Sequence, residues 1–522
     1  MMHRLHEAQL RHANYYVSLL SKANELYQQG KAQIIAALNL LGEEWANIQA
    51  GQAWTVNQAK SNKEAARLCC QFATSGYYLL KGYLPPLKII EWLDAAIEIS
   101  QSYGWRNFEG LCYGHRGTSE FDLGRNHEAI NSIEQALAIF RQTNDWTNQC
   151  IFLNLLGEVY RKLGQIDEAI SIHQYTLSLA SENHFYSEIG HAHNHLGNDY
   201  YVQGKFYQAM EHYQKFLEFA KHTHSYVDEG IALGNLANAH CEISDLVHAR
   251  KCYEQELMIA RETGDRAAEG QSLSNLGTCY LDSDNWEQAV ACFEQRLEIT
   301  REIKDHHGEA IALGNLGIAY QRKQDYPRAL RFLSEALRLT RETGYRQGEC
   351  QVLGNLGTLY QELNDISEAI LHHEQQLEIA QKIGDRHSEG QAWNNLGVCY
   401  ARSNKPQKAR ECLEKRIIIA QEIGDRRGEA YALSNLGNIH SQTKNFDQAL
   451  HCYKRSLTLM QEIGDHRGEG NVLANLSLIM QQLGDLPQAR SYAARALEIF
   501  SSIKDPTALR VRRHLEYLNR LF

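Results

Sequence analysis

Apolar positions in this chain recur with a period of 40 residues. The copy at Leu313–Tyr320 reads Leu-Gly-Asn-Leu-Gly-Ile-Ala-Tyr, and its asparagine returns seven times without insertion or deletion. The seven positions are Asn235, Asn275, Asn315, Asn355, Asn395, Asn435 and Asn475. In the same register an alanine recurs ten times, from Ala129 to Ala489. A fixed period of this length predicts stacked repeat units, which grow in one dimension and need no single central core.

Each unit is predicted to be a pair of antiparallel helices. In residues 308–348, apolar side chains such as Leu316 and Tyr320 recur at helical spacing. Asp325 stands where the N-cap of a second helix is expected, and Gly344 stands where that helix should end. The sequence therefore predicts an all-α protein.

A column is the set of equivalent positions that recur every 40 residues. Two columns of small residues explain how the paired helices approach each other. The glycine column of Gly317 and the alanine column of Ala329 leave room between the two helices of a unit. Bulkier columns, such as that of Leu337, are expected to fill the space between successive units. A single unit cannot bury these faces, so its stability depends on its neighbours.

This pattern resembles the tetratricopeptide repeat (TPR). The positions that carry the resemblance are Leu316, Gly317, Tyr320, Ala329 and Leu333. The resemblance implies a right-handed superhelix, or α-solenoid, in which the first helix of each unit lines a concave groove. It also implies that the protein binds other proteins, although a fold alone does not fix an activity.

The length of the unit indicates which TPR repeats are most similar to those of this chain. A 40-residue unit is longer than the common 34, and many units open with Gly-Glu, as at Gly308-Glu309. Both features are most similar to the repeats of the LGN/Pins polarity scaffolds, and the kinesin-light-chain and bacterial signalling repeats are also similar.

Four parts are predicted along the chain. Residues 1–63 form an N-terminal helical segment, and residues 64–107 a degenerate TPR-like unit in which Leu84-Pro85-Pro86 replaces the usual turn. Ten 40-residue units follow in residues 108–505. Residues 506–522 are expected to form a C-terminal capping helix, which repeat arrays need for solubility, with Leu509 and Leu518 among its apolar positions. A partner-docking tail is the alternative.

The N-terminal part carries a second resemblance. The stretches Arg11–Tyr16, Glu43–Ala50 and Trp92-Leu93 are similar to the helical segment that precedes the TPR sensor in bacterial STAND-class ATPases. The resemblance implies the sensor half of a signalling switch. That class places a phosphate-binding loop upstream, yet no G-x-x-x-x-G-K-[ST] string occurs in this sequence, so no ATPase activity is expected from it.

Composition excludes several classes of partner. The net charge is −10 with no block of like charges, which argues against a nucleic-acid-binding face. The sequence contains no run of 18 apolar residues, so no membrane span is predicted, and Met1–Glu7 does not resemble a signal peptide. The twelve scattered cysteines are best explained as small buried hydrophobes, which favours a reducing cytoplasm.

The asparagine ladder, defined as the seven positions above, is the leading candidate for a binding site. In TPR proteins that bind extended peptides, this position commonly faces the groove. A side-chain amide both donates and accepts, so it can pair with the N–H and the C=O of a peptide backbone. The preceding column is small where the ladder is intact, except at Asn394, which can add a second amide.

Two structural explanations of the ladder remain open. The asparagines can bridge helices within the array, or they can be remnants of recent duplication. Duplication alone should also have kept surface columns alike, yet one column varies even in charge. Its members are Asp282, Arg322, Glu362, Arg402 and Gln442.

Histidines replace the ladder toward the N-terminus. His195 stands in the ladder column, and His191 lies one helical turn before it, so both are candidates for peptide contact in the groove. Two histidines in this geometry can also bind a divalent metal, but the sequence places no third ligand near them. Ordinary packing histidines are the alternative.

The expected function is a non-enzymatic scaffold without a cofactor, located in the cytoplasm. It should bind an extended segment of a partner protein along the ladder. The alternatives are the sensor half of a STAND-type switch and a metal-dependent enzyme centred on His191 and His195. No nucleophile, acid–base pair or phosphate-binding loop stands out to support an enzyme.

Overall fold

The computed structural model describes residues 2–28, 31–503 and 505–521. Every regular element in these ranges is an α-helix, so the predicted all-α class is confirmed. The chain divides into two compact units, unit 1 (residues 1–279) and unit 2 (residues 280–522), with the division inside one helix.

Unit 1 holds the N-terminal helices and the first repeats. Its helices are α1 (Met2–Gln28), α2 (Lys31–Gln58), α3 (Lys63–Thr74), α4 (Tyr77–Tyr83), α5 (Pro86–Tyr103), α6 (Arg106–Asp122), α7 (Asn126–Thr143), α8 (Trp146–Lys162), α9 (Ile166–Glu182), α10 (Tyr186–Val202), α11 (Phe206–Thr223), α12 (Tyr226–Glu242), α13 (Leu246–Glu262) and α14 (Arg266–Asp282), the last of which crosses the division.

Unit 2 continues the same alternation of first and second helices. Its helices are α15 (Trp286–Glu302), α16 (His306–Arg322), α17 (Tyr326–Thr343), α18 (Arg346–Glu362), α19 (Ile366–Ile383), α20 (Arg386–Arg402), α21 (Pro406–Glu422), α22 (Arg426–Gln442), α23 (Phe446–Glu462), α24 (His466–Gln482), α25 (Leu486–Ser502) and α26 (Thr507–Arg520).

Side-chain caps fix where the helices of a unit begin. Asp325 accepts from the Arg328 N–H at 3.3 Å, which confirms it as the N-cap of α17. Asp305 caps α16 in the same way through Gly308, so that helix begins earlier than its apolar pattern suggests. Gly344 ends α17 in the left-handed conformation, with φ 68°.

The small columns pack as their sizes predict. A Cβ on Gly317 would lie 2.5 Å from Leu333 and 3.4 Å from the Ala329 carbonyl oxygen, so only glycine lets the two helices approach this closely. Leu316 and Ala329 are fully buried in the same cluster. The helix pairs therefore pack through their own apolar seams, as expected for a TPR-like solenoid.

The two ends of the chain add helices to the repeats. In unit 1, α1 and α2 share one apolar core with α3–α6, and Trp45 stacks on Trp92 with ring centroids 5.9 Å apart. In unit 2, Val511 and Leu518 of α26 are buried, whereas Leu509, which the sequence pattern placed on the apolar side, is 60% exposed. The prediction for Leu509 was wrong because this residue lies two positions before the buried Val511, which places it about 200° around the helix, on the opposite face.

No helix in residues 2–28, 31–503 and 505–521 combines the length and apolarity that crossing a membrane would need. The division into parts 1–63, 64–107, 108–505 and 506–522 stays a prediction.

Candidate functional site

All seven ladder asparagines lie half-buried on first helices. Asn235 and Asn275 are on α12 and α14 of unit 1, and the other five are on α16, α18, α20, α22 and α24 of unit 2. One turn before each asparagine stands an exposed residue, such as Ile311 or Gln391. The amides therefore lie at the accessible edge of the first helices and not in the apolar core.

Three ladder asparagines bridge neighbouring repeats. Asn235 donates to Asn194 at 2.9 Å, and Asn435 donates in the same way to Asn394 at 3.2 Å. Asn475 donates to Asn438 at 3.2 Å. Structural bridging is thus present at these positions. Each bridge uses one N–H, which leaves the second N–H and the carbonyl oxygen of the amide for other partners.

One cavity on the ladder lies in unit 2. It measures about 480 Å³, and Asn355, Asn394 and Asn395 form part of its wall. A smaller cavity of about 50 Å³ lies one repeat earlier, where Asn315 and Asn355 are both lining residues. The structure thus brings four of the proposed peptide-binding amides into two adjacent openings.

Arg416 forms the floor of the larger cavity. This side chain is only 5% exposed, and its guanidinium pairs with Asp425, the N-cap of α22. A Cβ on Gly390 or Gly428 would collide with the guanidinium, so two glycines make the space that Arg416 occupies. Its Nη1 is buried without a hydrogen-bond partner. The floor of the cavity is therefore a cation with an unused donor.

The counter-ion of Arg416 is held in its charged form. Burial alone would raise the pKa of Asp425, but the hydrogen bond from the Gly428 N–H and the contact with Arg416 outweigh it. The pKa of Asp425 consequently lies below its ordinary value. Around this pair the rim is polar, with His387, Gln391 and Tyr431.

Unit 1 contains a cavity at the equivalent place between α12 and α14. It measures about 180 Å³ and is lined by apolar side chains that include Tyr226, Val227 and Ile231. Glu256 of α13 stands on its floor, in the column that Arg416 occupies in unit 2. Burial raises the pKa of Glu256 to about 7, against a smaller lowering by the nearby Ser272 hydroxyl.

His191 and His195 do not form a shared site. His195 stacks on His173, with ring centroids 5.0 Å apart, and its Nδ1 is buried without a partner. His191 instead packs near Phe216 and Phe219. Burial lowers the pKa of His195 well below its ordinary value. Both residues contact aromatic neighbours, and their role in peptide contact stays a prediction.

One group of metal-binding residue types does converge, at a place that the sequence reading missed. Among the described residues only His240, Asp245 and His248 bring three such ligand atoms within 4.8 Å of one another. Asp245 caps α13, accepts from His248 Nδ1 at 2.7 Å and lies 3.3 Å from His240 Nδ1. A metal ion here would replace these contacts. The available signal was His240, which stands in a column that elsewhere holds mostly tyrosine.

Arg416 and Glu256 were also absent from the sequence prediction. A signal existed, because their second-helix column varies in charge while the column that follows it stays apolar. Its members from residue 256 on are Glu256, Arg296, Ala336, Gln376, Arg416, Ser456 and Ala496. A charged residue in an otherwise small or neutral column beneath the first helices marks a candidate contact.

Comparisons with solved structures find matches at low sequence identity. BtubC (BKLC) from P. vanneervenii is 23% identical, with 42% of this chain and 90% of that chain covered at a TM-score of 0.35. The apo form of RapI is 15% identical, covering 53% and 99% at a TM-score of 0.44. Aspartyl phosphate phosphatase F from Bacillus subtilis is 14% identical, covering 67% and 94% at a TM-score of 0.47.

Comparisons with protein-family models identify the family of this chain. No curated protein gives a significant match. Residues 194–269 match the family of anaphase-promoting complex subunit 5. The tetratricopeptide repeat family matches residues 111–182, 269–342, 348–422 and 428–502, which together are more than half of the chain. The chain therefore belongs to the tetratricopeptide repeat family.

Proposed function

We propose that this protein is a non-enzymatic, cytoplasmic scaffold that binds an extended segment of a partner protein along its asparagine ladder. The observation that carries the proposal is the cavity of about 480 Å³ where ladder amides meet the unused donor of Arg416. Protein-interaction modules commonly bind extended peptides through backbone pairing, with pockets that add specificity.

The ladder supplies the backbone contacts. Asn315, Asn355 and Asn395 recur at repeat spacing and line the two adjacent cavities of unit 2. An amide can donate to a peptide carbonyl and accept from a peptide N–H at the same time. Contacts of this kind hold a segment in register without reading its side chains.

Arg416 supplies the side-chain preference in unit 2. A buried guanidinium that lacks a partner at one nitrogen favours an anion, because desolvation makes an unused donor costly. A carboxylate fits best, since it can take a hydrogen bond from Nη1 while Asp425 keeps the opposite side of the guanidinium. We therefore expect an acidic residue of the partner to enter this cavity.

The test compares matched groups of alanine variants. Asn315→Ala, Asn355→Ala and Asn395→Ala together should abolish capture of the partner from cell lysate, identified by mass spectrometry. The control removes three exposed amides of second helices, through Gln407→Ala, Gln448→Ala and Gln488→Ala. It should capture the partner as the unmodified protein does.

Arg416→Gln tests the pocket separately, because Gln376 already fills the same column one repeat earlier. It should weaken capture by about tenfold or more, the effect of losing one charge-assisted hydrogen bond. Two results would refute the proposal. One is unchanged capture by the ladder variant, and the other is a ladder variant whose melting temperature collapses.

The signalling alternative stays a prediction. The quoted N-terminal stretches lie on α1, α2 and α5, where Tyr16 donates to Glu44 at 3.0 Å. Because α1 and α2 share a core with α3–α6, deletion of residues 1–60 would expose that core. A surface variant such as Tyr15→Ala, at a well-exposed position of α1, tests an effector contact more cleanly.

A further inference from the structure

Glu256 has an unused acceptor at the floor of the unit 1 cavity. Its carboxylate lies against α12, where a Cβ on Gly234 would be 3.2 Å from Oε1. The other oxygen, Oε2, is buried and has no hydrogen-bond partner. An unsatisfied buried acceptor is costly, so a donor that reaches Oε2 would be favoured.

The walls of this cavity are apolar and open to solvent. Val227 is 70% exposed, and Tyr226 and Ile231 are also exposed, although all three are large hydrophobic side chains. They lie in the first two turns of α12, directly above the Glu256 column. Exposed apolar side chains gathered around a buried polar atom indicate a contact surface for a mostly aliphatic group.

Size limits what can enter. Small residues border the opening, namely Gly230, Ala260 and Ala268. At about 180 Å³ the cavity is below the range of about 300–1,000 Å³ that is typical of small-molecule sites. It therefore suits a single side chain and not a cofactor.

We propose that this cavity binds a lysine or arginine side chain of the partner segment, with the cationic end donating to Glu256 Oε2 and the aliphatic stem on Val227 and Ile231. This inference rests on the proposed peptide-binding function and extends it to a second subsite. Basic side chains combine an apolar stem with a charged end, which matches an apolar wall above a carboxylate. A wholly apolar side chain would leave Oε2 unsatisfied.

The neighbouring groups are consistent with a cation. Apart from Glu256, the acidic residue at this cavity is Asp265, the residue that caps α14 through the Ala267 and Ala268 N–H groups. The lining residues include no lysine, arginine or histidine. An incoming ammonium or guanidinium therefore meets only negative or neutral groups.

The experiment uses single-residue probes and needs no partner. Methyl resonances of Val227, Ile231 and Ile259 in the full chain are followed by NMR at pH 8 during titration with Nα-acetyl-lysine methylamide. Nα-acetyl-arginine methylamide is the second cationic probe, and Nα-acetyl-norleucine methylamide supplies the aliphatic stem without the charge. Glu256→Gln is the test variant, and Gln376 in the same column shows that the repeat accommodates glutamine.

We expect saturable shifts with the lysine or the arginine probe, and binding at least about tenfold weaker for norleucine and for Glu256→Gln. Which cation binds more tightly identifies the preferred residue. Equal shifts from norleucine, shifts that persist in Glu256→Gln, or no shift with any probe would overturn the inference.

Failure here can be told apart from failure of the proposed function. Partner capture depends on the ladder and Arg416 in unit 2, whereas the probe titration reports only on the unit 1 cavity. Arg416→Gln should leave the lysine-probe shifts unchanged, which makes it the matched control for Glu256→Gln.

Discussion

Two cavities occupy the same place in the repeat and differ in the charge of their floor. Residues 227, 231, 256 and 265 of unit 1 correspond, 160 positions later, to residues 387, 391, 416 and 425 of unit 2. Unit 1 has a carboxyl group on the floor under an apolar rim, and unit 2 has a guanidinium under a polar rim. The frame of helices is constant, so one second-helix column sets what each cavity can bind.

The comparison also shows how each buried charge is accommodated. Arg416 is paired with the helix cap Asp425, and glycines at 390 and 428 leave it room. No such counter-ion lowers the pKa of Glu256, and burial raises that pKa to about 7. A buried cation here depends on its partner, while a buried carboxyl can instead take up a proton.

The largest expected effect is loss of the Arg416 counter-ion. Asp425→Ala removes a helix cap and leaves a buried guanidinium unpaired, which should cost about 3–5 kcal/mol of local stability. Asp265→Ala removes the corresponding cap above a carboxyl and should cost only about 1 kcal/mol. Hydrogen exchange of peptides from α21–α22 and from α13–α14 measures both. Equal costs would show that the Arg416–Asp425 pair does not stabilise unit 2.

Glu256→Gln should make stability depend less on pH. The folded-state pKa, about 7, lies above the ordinary glutamate value of 4.5. The folded chain therefore holds the proton more tightly, and stability falls as pH rises from about 4.5 to 7. Glutamine removes this loss, so the variant should gain on the order of 2–3 kcal/mol at pH 8 and almost nothing at pH 4.

Urea denaturation at the two pH values measures the difference between Glu256→Gln and the unmodified chain. The exposed control Glu294→Gln should change the free energy of unfolding by less than about 0.5 kcal/mol at both. A constant difference for Glu256→Gln across this range would contradict a raised pKa.

Replacing the apolar rim of the unit 1 cavity by the polar rim of unit 2 should have a moderate effect on binding of the lysine probe. Val227→His with Ile231→Gln gives the unit 1 cavity the side chains that unit 2 carries at residues 387 and 391. Losing about 1 kcal/mol of contact with the aliphatic stem should weaken the lysine probe about fivefold. The same NMR titration measures this. Unchanged affinity would mean that the rim plays no part and that Glu256 acts alone.

The smallest loss of stability should follow from removing an amide bridge, a feature that both units contain. Asn235→Ala in unit 1 and Asn435→Ala in unit 2 each remove one amide bridge to the preceding repeat. Each should cost about 1 kcal/mol or less, because a neutral hydrogen bond contributes about that much. Hydrogen exchange in α12 and α22 gives both values. A large difference between them would mean that the ladder is structural in one unit only.

Much of the fold followed from the 40-residue pattern. The helix pair, the N-cap at Asp325 and the close packing at Gly317 all depend on local spacing or on residue size, which a repeated sequence displays many times. The exposure of Leu509 was missed because an apolar residue type does not by itself show which face of a helix is covered.

The candidate site was only partly predictable. The ladder could be found because its asparagines recur, but periodicity could not show that Asn435 is bonded to Asn394. His191 and His195 were paired because helical spacing puts them on one face, yet their rings turn to different neighbours. Contacts between repeats depend on side-chain direction, which sequence spacing leaves open.

The sequence by itself determined the repeat, its two helices, its small columns and the position of the ladder, because each of these is set by local propensity and by a period. Only the tertiary structure decided what lies beneath the ladder. Arg416 and Glu256 enter their cavities because each second helix packs under the first helices of two successive repeats. Whether a buried nitrogen or oxygen is left without a partner depends on all the atoms that surround it, and those come from distant parts of the chain.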